Sequence, residues 1–599
     1  MNTASLDQCL KQITTFQQGG ELFAAIDCAE SYLKQSENPP LKLRHLTVLL
    51  MARAGALNEA IRRYRDLDLH IETDMESRTL GARLLKDVAL SCAPSAQPRE
   101  LSKACKAYRD IYEDTGDSYP GINAATLAVL TNDQETAEKI AQAILDEGSA
   151  APGRQSDYWH LATMAEAQII TRSFNEAAAT IRDAAKVENI SLSDRASTLN
   201  QLRKLLEVLG QSEALLDPLK PKPAMHFTGH MIAAPGKDGR ILADHEETLR
   251  HRIEEAVNHI DPGAAFGALA SGSDILIAEC LIEKGVDLHV ILPFAEDDFM
   301  SASVLPAGAN WLERFQTCRE KCASLTFLTN QPYLGDDILF GLGAQLAMGR
   351  TLLHARHIAG DAIQLAVWDG EAATGPAGTA ADRQTWKARG NSQEIVDVSD
   401  LGRRSKAAHT STATTMSPSH NRVDAAMLFG DFKGFSKLGD TELPAYVEHG
   451  LGTVAHVLDT GTPGASFVNT WGDGLFAVWN NPAAAAERAL DLQEALIDLR
   501  AEFTGLPDNL SIRISLHYGV AHCIQDPVLK RPNYFGEAVA RAARIEPVTP
   551  VGAIFATEPF AAMLVLDKDC KAAAEYVGIV EVAKGYGAFP LYRIHRKNT

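Results

Sequence analysis

The sequence predicts a multidomain protein that combines an all-α part, an α/β part and an α+β part. Three observations lead to this fold class. Residues 1–217 have helical periodicity throughout, residues 224–400 alternate strand and helix signals, and residues 423–599 mix strands with helices in another order. A chain of 599 residues has room for three or four domains at the usual ~150 residues each.

The composition excludes several classes of partner. A formal net charge of −20 argues against binding to nucleic acid or to an anionic membrane surface. There is no run of about 18 apolar residues, and the N-terminal sequence lacks the basic and apolar segments of a secretory signal. We therefore predict a cytoplasmic location. The nine cysteines, including Cys318 and Cys322, have no metal-binding or disulfide-framework spacing and are expected to be reduced.

The first 217 residues consist of successive amphipathic stretches. Segments such as Gly55–Ala60, Asn132–Ala137 and Ser173–Ala177 each precede a new stretch, with small residues where helices approach closely. This pattern predicts antiparallel helix pairs stacked as a solenoid, similar to irregular tetratricopeptide repeats. The spacing is nearer 40 residues than the ideal ~34, so a non-repeating helical domain is the alternative. Either form offers a surface for a protein partner.

After the Pro-Leu-Lys-Pro-Lys-Pro segment at residues 218–223, the period changes to short apolar strands separated by helices. The predicted strands are Met225–His230, Ala265–Ala268, Leu288–Pro293, Leu325–Thr329, Ile363–Trp368 and Glu394–Val398. Strands that alternate with helices predict a Rossmann-like parallel sheet over 224–400.

Two loops of this middle region turn from a strand into a helix through small residues. The residues that we expect to bind a regulatory ligand there are Ser271, Gly272, Ser273, Asp274, Gly378 and Thr379. Exposed N–H groups at helix N-termini are suited to hold a phosphate. The loops resemble those of the SLOG superfamily, whose members bind or process nucleotide-derived ligands. The alternative is that the glycines only permit tight turns.

Residues 401–422 are rich in Ser, Thr, Ala and basic residues and have no apolar period. This composition predicts a linker that leaves the C-terminal unit free to dimerise, while the upstream units sense a signal.

The C-terminal region places two carboxylates at the ends of strands. Ala425–Phe429 is wholly apolar, as in a strand covered on both faces, and is predicted to end just before Asp431. Ser466–Trp471 and Leu475–Trp479 predict a hairpin with Asp473 in its turn. If this hairpin lies beside the first strand, both carboxylates meet at one end of the sheet.

Three further patterns follow along the chain. Asn481-Pro482 predicts a helix start. The alternation over residues 510–517, in which Arg513, Ser515 and His517 occupy the polar positions, predicts a half-buried strand. Residues 535–546 predict a short helix that carries arginines.

Residues 429–436, 469–474 and 535–546 resemble, in order and spacing, the three signature blocks of class III nucleotidyl cyclases. The resemblance covers about the last third of the chain. It implies a ferredoxin-like domain that works as a head-to-tail homodimer or within a higher homo-oligomer, and that converts a nucleoside triphosphate to a 3′,5′-cyclic nucleotide and pyrophosphate.

The resemblance also implies roles for individual residues. Asp431 and Asp473 match the ligands of two Mg²⁺ or Mn²⁺ ions per site, and Arg544 matches the transition-state arginine. The positions implied to bind substrate are Phe432, Lys433, Gly434, Phe435, Asn469, Asn533 and Lys584.

The sequence departs from the family pattern at positions that affect activity and base choice. Ala540 stands where the family has a ribose-orienting asparagine, so activity is expected to be weak or this hydrogen bond to come from elsewhere. Asn469 and Asn533 replace the residues that read the purine, and an amide both donates and accepts, which leaves the base open. ATP is the first expectation because adenylyl cyclases are frequent.

Three alternatives remain at this stage. The C-terminal unit is a catalytically silent, cyclase-like scaffold or nucleotide sensor; it is a cyclase with another base preference in a signalling or defence pathway; or the middle unit binds or cleaves a nucleotide-derived signal, with the cyclase as its output.

Overall fold

A computed structural model of the chain describes residues 3–149, 157–373, 375, 377–402, 421–435, 438–502 and 511–597. It has a helical N-terminal region, a parallel sheet in the middle and a mixed sheet at the C-terminus. This architecture confirms the predicted fold class.

The N-terminal region consists of helices that pack against their neighbours in sequence. The helices are α1 (Thr3–Gln18), α2 (Leu22–Gln35), α3 (Leu41–Arg53), α4 (Leu57–Asp66), α5 (Met75–Ser91), α6 (Gln97–Thr115), α7 (Ser118–Leu130), α8 (Gln134–Ser149), α9 (Tyr158–Ile170), α10 (Phe174–Ala185) and α11 (Leu192–Val208). The predicted openings before α4, α8 and α10 therefore do precede helices. Their apolar faces form two adjoining buried clusters.

The middle region contains a six-stranded parallel sheet in the order β4-β3-β2-β1-β5-β6. The strands are β1 (Ala224–Gly229), β2 (Ala264–Gly267), β3 (Asp287–Leu292), β4 (Ser324–Phe327), β5 (Ala362–Trp368) and β6 (Ser392–Asp397), and the helices are α12 (Glu246–Ile260), α13 (Ser273–Glu283), α14 (Glu296–Phe299), α15 (Asn310–Lys321), α16 (Ile338–His357) and α17 (Thr379–Ala388). All six predicted strands are present, with ends within two residues of the prediction. The strand order reverses between β1 and β5, which is where open α/β sheets bind ligands.

The C-terminal region is built on an eight-stranded sheet in the order β13-β14-β12-β10-β7-β9-β8, with β11 paired to β10. Its strands are β7 (Arg422–Lys433), β8 (Phe467–Trp471), β9 (Gly474–Trp479), β10 (Ser511–Gln525), β11 (Pro532–Phe535), β12 (Ile554–Thr557), β13 (Ala572–Glu581) and β14 (Ala588–Arg596), and its helices are α18 (Leu443–Ala445), α19 (Gly452–Thr460), α20 (Pro482–Glu502), α21 (Glu537–Ile545) and α22 (Glu558–Leu566). The Asn481 side chain accepts from the backbone N–H of Ala483 at 2.7 Å, so the predicted cap opens α20.

Two details of the predicted strands are wrong. Asp431 lies inside β7 and not at its exit, because β7 is paired on both sides and Asp431 stands opposite Gly474 of β9 and Arg513 of β10. The polar side of β10 is also covered. Ser515 and His517 are buried and bond to the carbonyl of Ala542 and to the Thr557 hydroxyl, both at 2.8 Å, since α21 packs on that face.

The three regions pack directly against one another. A Cβ atom at Gly349 of α16 would lie 2.6 Å from the Cβ and carbonyl oxygen of Ala562 in α22, so only glycine allows this helix crossing. Phe23 of α2 stacks on Tyr576 of β13 with ring centroids 4.0 Å apart, and the Tyr576 hydroxyl donates to Asp27 at 2.6 Å. The expected freedom of the C-terminal unit is therefore not seen in the described residues, although most of the proposed linker, 403–420, lies outside them.

Among the helices of the described ranges, none combines the length and the apolar character that a bilayer span requires.

Candidate active site

The two aspartates that the sequence singled out meet through the pairing of β7 with β9. Asp431 stands opposite Gly474, the residue after Asp473. The Phe432 N–H donates to the backbone carbonyl of Asp473 at 3.1 Å, which ties the hairpin turn to β7. Both carboxylates thus lie at one end of the sheet, and the Asp431 side chain keeps 28% of its surface exposed.

An arginine and a third carboxylate complete this cluster. Arg513 of β10 donates from Nη2 to Asp431 Oδ2 at 2.8 Å, and its Nε is paired with Glu546, just after α21. Burial raises the pKa of Glu546, and the negative charges of Asp431 and Asp473 raise it further, while Arg513 opposes them. One cation therefore holds two carboxylates together beside a third.

Tyr446 borders this cluster and bonds to the turn that carries Asp473. It lies in the π-helical turn Tyr446–Leu451 that precedes α19, is fully buried, and donates to the carbonyl of Gly472 at 3.2 Å. Burial raises the pKa of its phenol, and the charges of Asp473 and Asp431 raise it further. Tyr446 therefore stays a neutral hydrogen-bond donor that fixes the turn carrying Asp473.

The two arginines of α21 are in different environments. Arg541 donates to Glu537 at 2.6 Å and lies over the Phe589 ring, 5.0 Å from its centroid. Arg544 is half-buried and makes no ion pair or side-chain hydrogen bond with the described residues. Arg544 is thus the uncommitted cation of this helix, while the ion pair of Asp431 is made by Arg513.

The other residues that the resemblance implies to bind substrate differ in how far their polar groups are already bonded within the protein. The Phe432 N–H is already used by Asp473, so a phosphate cradle is left with Lys433, Gly434 and Phe435. Ser436, the last residue of that signature block, lies outside the described residues. Lys584 is exposed in the turn before β14, and this turn packs against α21.

The two asparagines expected to read the base are held by neighbours. Asn469 Oδ1 accepts from Arg531 Nη2 at 2.9 Å. Asn533 Nδ2 donates to Asp526 Oδ2 at 2.9 Å, and its Oδ1 accepts from the backbone N–H of Tyr534. Surrounding residues therefore set the orientation of both amides. A charged side chain lies next to each of them, Arg531 beside Asn469 and Asp526 beside Asn533.

The donor set fits a hard divalent cation that is bound together with phosphate. Within the described residues there is no group of three or more His, Cys, Asp or Glu side chains that could hold a metal ion. Mg²⁺ is commonly bound through one or two carboxylates, with waters and substrate phosphates as its other ligands. Asp431 and Asp473 meet that requirement, and Arg513 neutralises Asp431 when no metal ion is bound.

The loops of the middle region lie at the carboxyl edge of its parallel sheet. Gly272 and Gly378, with φ angles of 95° and 99°, precede α13 and α17. Ser271 Oγ and Asp274 Oδ1 are buried and have no hydrogen-bond partner among the described residues. Burial raises the pKa of Asp274 to about 7, with a further contribution from Asp382.

Asp382 of α17 forms the second half of this buried pair. Its carboxylate accepts from the hydroxyl of Thr228 in β1 at 2.8 Å. Burial raises the pKa of Asp382 to about 7 as well. The two predicted loops therefore flank β1, and each brings a buried acid toward it.

Sequence reasoning missed Arg513, Glu546 and Tyr446 in the first site and Asp382 in the second. Only Arg513 had a usable signal. It occupies a polar position of a predicted strand, and the pairing of that strand with β7 would have placed it opposite Asp431. Glu546 ends the 535–546 motif, but the resemblance gave it no role. Tyr446 and Asp382 come from helical segments whose packing no local pattern reveals.

Comparison with known proteins agrees with this geometry. Residues 417–596 match the family model of the adenylate and guanylate cyclase catalytic domain. We refer to the C-terminal region, which contains this match, as the cyclase domain. Residues 21–128 match the family model of the tetratricopeptide repeats-sensor. The SLOG-like character of the middle region stays a prediction. No curated protein sequence matches the chain.

Solved structures similar to the cyclase domain include three cyclases. The adenylyl cyclase CyaB from P. aeruginosa is 18% identical, with 30% of this chain and 97% of that chain covered and a TM-score of 0.27. The guanylate cyclase domain of RhGC from Catenaria anguillulae is 22% identical, with 29% and 97% covered and a TM-score of 0.24. The adenylate/guanylate cyclase/hydrolase from Silicibacter pomeroyi is 22% identical, with 29% and 96% covered and a TM-score of 0.24.

Proposed function

We propose that the protein is a nucleotidyl cyclase, which joins the ribose 3′-oxygen of a nucleoside triphosphate to its α-phosphorus and expels pyrophosphate. The observation that carries this proposal is the meeting of Asp431 and Asp473 at one end of the sheet, in the cyclase domain. We keep the division into residues 1–217, 224–400, 401–422 and 423–599 as a proposal for the domain boundaries.

In this proposal Asp431 and Asp473 hold two Mg²⁺ or Mn²⁺ ions. When bound, these ions lower the pKa of the attacking hydroxyl and neutralise the triphosphate. The Arg513 guanidinium, which lies beside Asp431, would also be within the site to bind a phosphate oxygen. Backbone N–H groups of Lys433–Phe435 orient the phosphates, and Lys584 binds their terminal end.

Arg544 stabilises the charge that develops on the α-phosphoryl group. Since Asp431 pairs with Arg513 and Arg544 has no such partner in the described part of its own chain, we propose that each site takes Arg544 from a second copy of the chain. A twofold dimer then has two equivalent composite sites.

ATP is the substrate that we propose first. Asn469 and Asn533, with Arg531 and Asp526 beside them, are the groups that we expect to read the base. The Ser271–Asp274 and Gly378–Thr379 loops remain our candidates for a nucleotide-derived regulatory ligand, which the buried unpartnered Ser271 Oγ and Asp274 Oδ1 support.

A second candidate function is a silent cyclase-like module that binds nucleotide without turning it over. Ala540 on α21 favours it, because a methyl group cannot orient the ribose by a hydrogen bond.

One assay separates the two functions. The purified full-length protein is incubated with Mg²⁺ or Mn²⁺ and each of the four nucleoside triphosphates, and products are identified by mass spectrometry. The proposal expects a 3′,5′-cyclic nucleotide and pyrophosphate from at least one of them, and no product with Asp473→Ala. If no triphosphate yields a cyclic product with the wild-type protein, the silent module is the correct account.

A further inference from the structure

A cavity of about 1400 Å³ lies between the N-terminal helices and the cyclase domain. Its helical wall comes from α3, α4, α5, α7, α9 and α11, and its other wall from α20, β13 and β14. This volume exceeds the ~300–1,000 Å³ typical of small-molecule sites. None of the proposed catalytic residues Asp431, Asp473 and Arg544 lines it. The cavity is thus separate from the proposed active site.

The floor of the cavity contains a lysine ammonium held only by neutral groups. Lys86 Nζ on α5 donates to Asn123 Oδ1 at 2.8 Å and to Gln201 Oε1 at 3.0 Å. An ammonium has three donors, and within the described ranges no carboxylate lies within ion-pair distance of Lys86. The charges of Asp87 and Glu166 act on Lys86 from a distance, but a buried cation without a carboxylate in contact is costly. An anionic group that enters the cavity would relieve that cost.

Four of the seven carboxylates that line the cavity lie on its helical wall and are already engaged. Asp117 and Asp157 accept from the backbone N–H groups at the starts of α7 and α9. Asp87 pairs with Arg83 at 3.6 Å, and Glu166 accepts from Gln201 at 2.8 Å. Lys86 therefore keeps unused donor capacity. Arg53 and Arg83 also line the cavity, and each has a buried Nε without a hydrogen-bond partner among the described residues.

Two aromatic side chains stand at the side of the cavity next to these caps. Tyr119 and Trp159 follow Asp117 and Asp157 in the first turns of α7 and α9, and each keeps 40% of its surface exposed. Tyr119 is joined to the floor, because its backbone carbonyl accepts from Asn123 Nδ2 at 3.0 Å. Exposed rings in a cavity are suited to stack on a planar base.

We propose that this cavity binds a phosphorylated nucleoside, with a phosphate oxygen on Lys86 and the base against Tyr119 or Trp159. Free inorganic phosphate would use only the lysine, and a nucleoside only the rings. Residues of the cyclase domain, including Glu575 and Arg593, form one wall of the cavity.

Paired strands connect the cavity wall to the proposed active site. Arg593 lies on β14, which pairs with β12, and β12 pairs with β10, the strand of Arg513. A ligand that contacts both walls changes the free energy of the arrangement between them, which is what regulation by an upstream region requires.

The test is calorimetric binding of the four nucleoside 5′-monophosphates, inorganic phosphate and adenosine to the full-length protein in the absence of divalent metal. We expect one monophosphate to bind saturably, and phosphate or nucleoside alone to bind more weakly. Lys86→Met should weaken binding about tenfold or more. Lys106→Met, on the adjoining helix α6 and outside the cavity, should leave binding unchanged, as should Arg544→Ala.

Tyr119→Ala and Trp159→Ala change partly exposed side chains and keep the test valid if Lys86→Met does not fold. We expect at least one of them to weaken binding. The proposal is overturned if none of the four monophosphates binds, which would leave a protein partner as the occupant of the groove. It is equally overturned if a monophosphate binds to folded Lys86→Met, Tyr119→Ala and Trp159→Ala as tightly as to the wild type. Neither result depends on cyclase activity.

Discussion

The cyclase domain and the middle domain each bring two aspartates together at a sheet edge, but in opposite environments. Asp431 is partly exposed and paired with Arg513 at 2.8 Å. Asp274 and Asp382 are each only 7% exposed and have no cation in ion-pair contact within the described residues. In the first pair an arginine compensates the charge of Asp431, whereas in the second pair burial favours the protonated carboxyl groups.

This difference bears on the functions that we propose for the two acidic pairs. Burial raises the pKa of Asp274 and of Asp382 to about 7, so both are largely protonated below neutrality, while Asp382 still accepts from the Thr228 hydroxyl through its other oxygen. A protonated carboxyl is a poor metal ligand. Only the pair in the cyclase domain suits metal-assisted phosphoryl transfer.

The largest expected effect is a difference in activity between variants of the two aspartate pairs. Asp431→Asn or Asp473→Asn should lower the rate of cyclic nucleotide formation about a thousandfold, since several kcal/mol of charge stabilisation are lost. The same change at Asp274 or Asp382 should leave the basal rate within about twofold, because no reacting group is removed. Initial rates of all four full-length variants, with circular dichroism to check folding, test this prediction. Substantial turnover by Asp431→Asn would remove the distinction.

The second prediction concerns Arg513, the cation that is paired with the partly exposed Asp431. Arg513→Met should reduce activity about a hundredfold, as expected for the loss of one charged donor to the phosphates. Arg513→Lys, which keeps the charge but not the forked geometry, should retain more activity. The rates and KM values of both variants are compared with those of Arg541→Met on α21, whose guanidinium is paired with Glu537. If Arg513→Met has wild-type kinetics, Arg513 serves only the fold.

A smaller effect is expected in the stability of the buried pair as pH changes. The folded-state pKa of Asp274 and Asp382 is about 7, above the ordinary value of 3.8. The folded protein thus holds protons that the unfolded chain releases between these two values, and this contribution to stability falls as pH rises through about 7. Asp274→Asn and Asp382→Asn should remove it.

The measurement is the apparent midpoint of thermal unfolding at pH 5 and pH 8, at one scan rate. The wild type should lose more stability over this interval than either Asn variant, by about 1–3 kcal/mol. An identical pH dependence in all three proteins would mean that the two acids are ionised in the folded state.

Sequence patterns predicted the parts of the fold that depend on local periodicity. The six strands of the middle region and the turn at Asp473 are examples, because alternation and Asp-Gly turns are written in neighbouring residues. They did not predict that Ser515 and His517 are buried or that Tyr576 packs on Phe23. Such contacts depend on what a distant segment covers, and a polar position looks the same in either case.

The candidate site shows the same limit. Asp431, Asp473 and Arg544 were identified because they lie in compact motifs. Tertiary packing brings Glu546 and Tyr446 into the site. Asp431 lies within β7 because its pairing with β10 extends the strand beyond Gly430.

The central claim, a composite site shared by two copies of the chain, is tested most directly by mixing two inactive proteins. Asp473→Ala and Arg544→Ala subunits are combined under conditions of proven subunit exchange, and cyclic nucleotide formation is measured against each parent alone. One of the two sites in a mixed dimer keeps both aspartates and the arginine, so random pairing predicts recovery of about one quarter of the wild-type activity. No recovery despite exchange would contradict the account and would place each active site within a single chain.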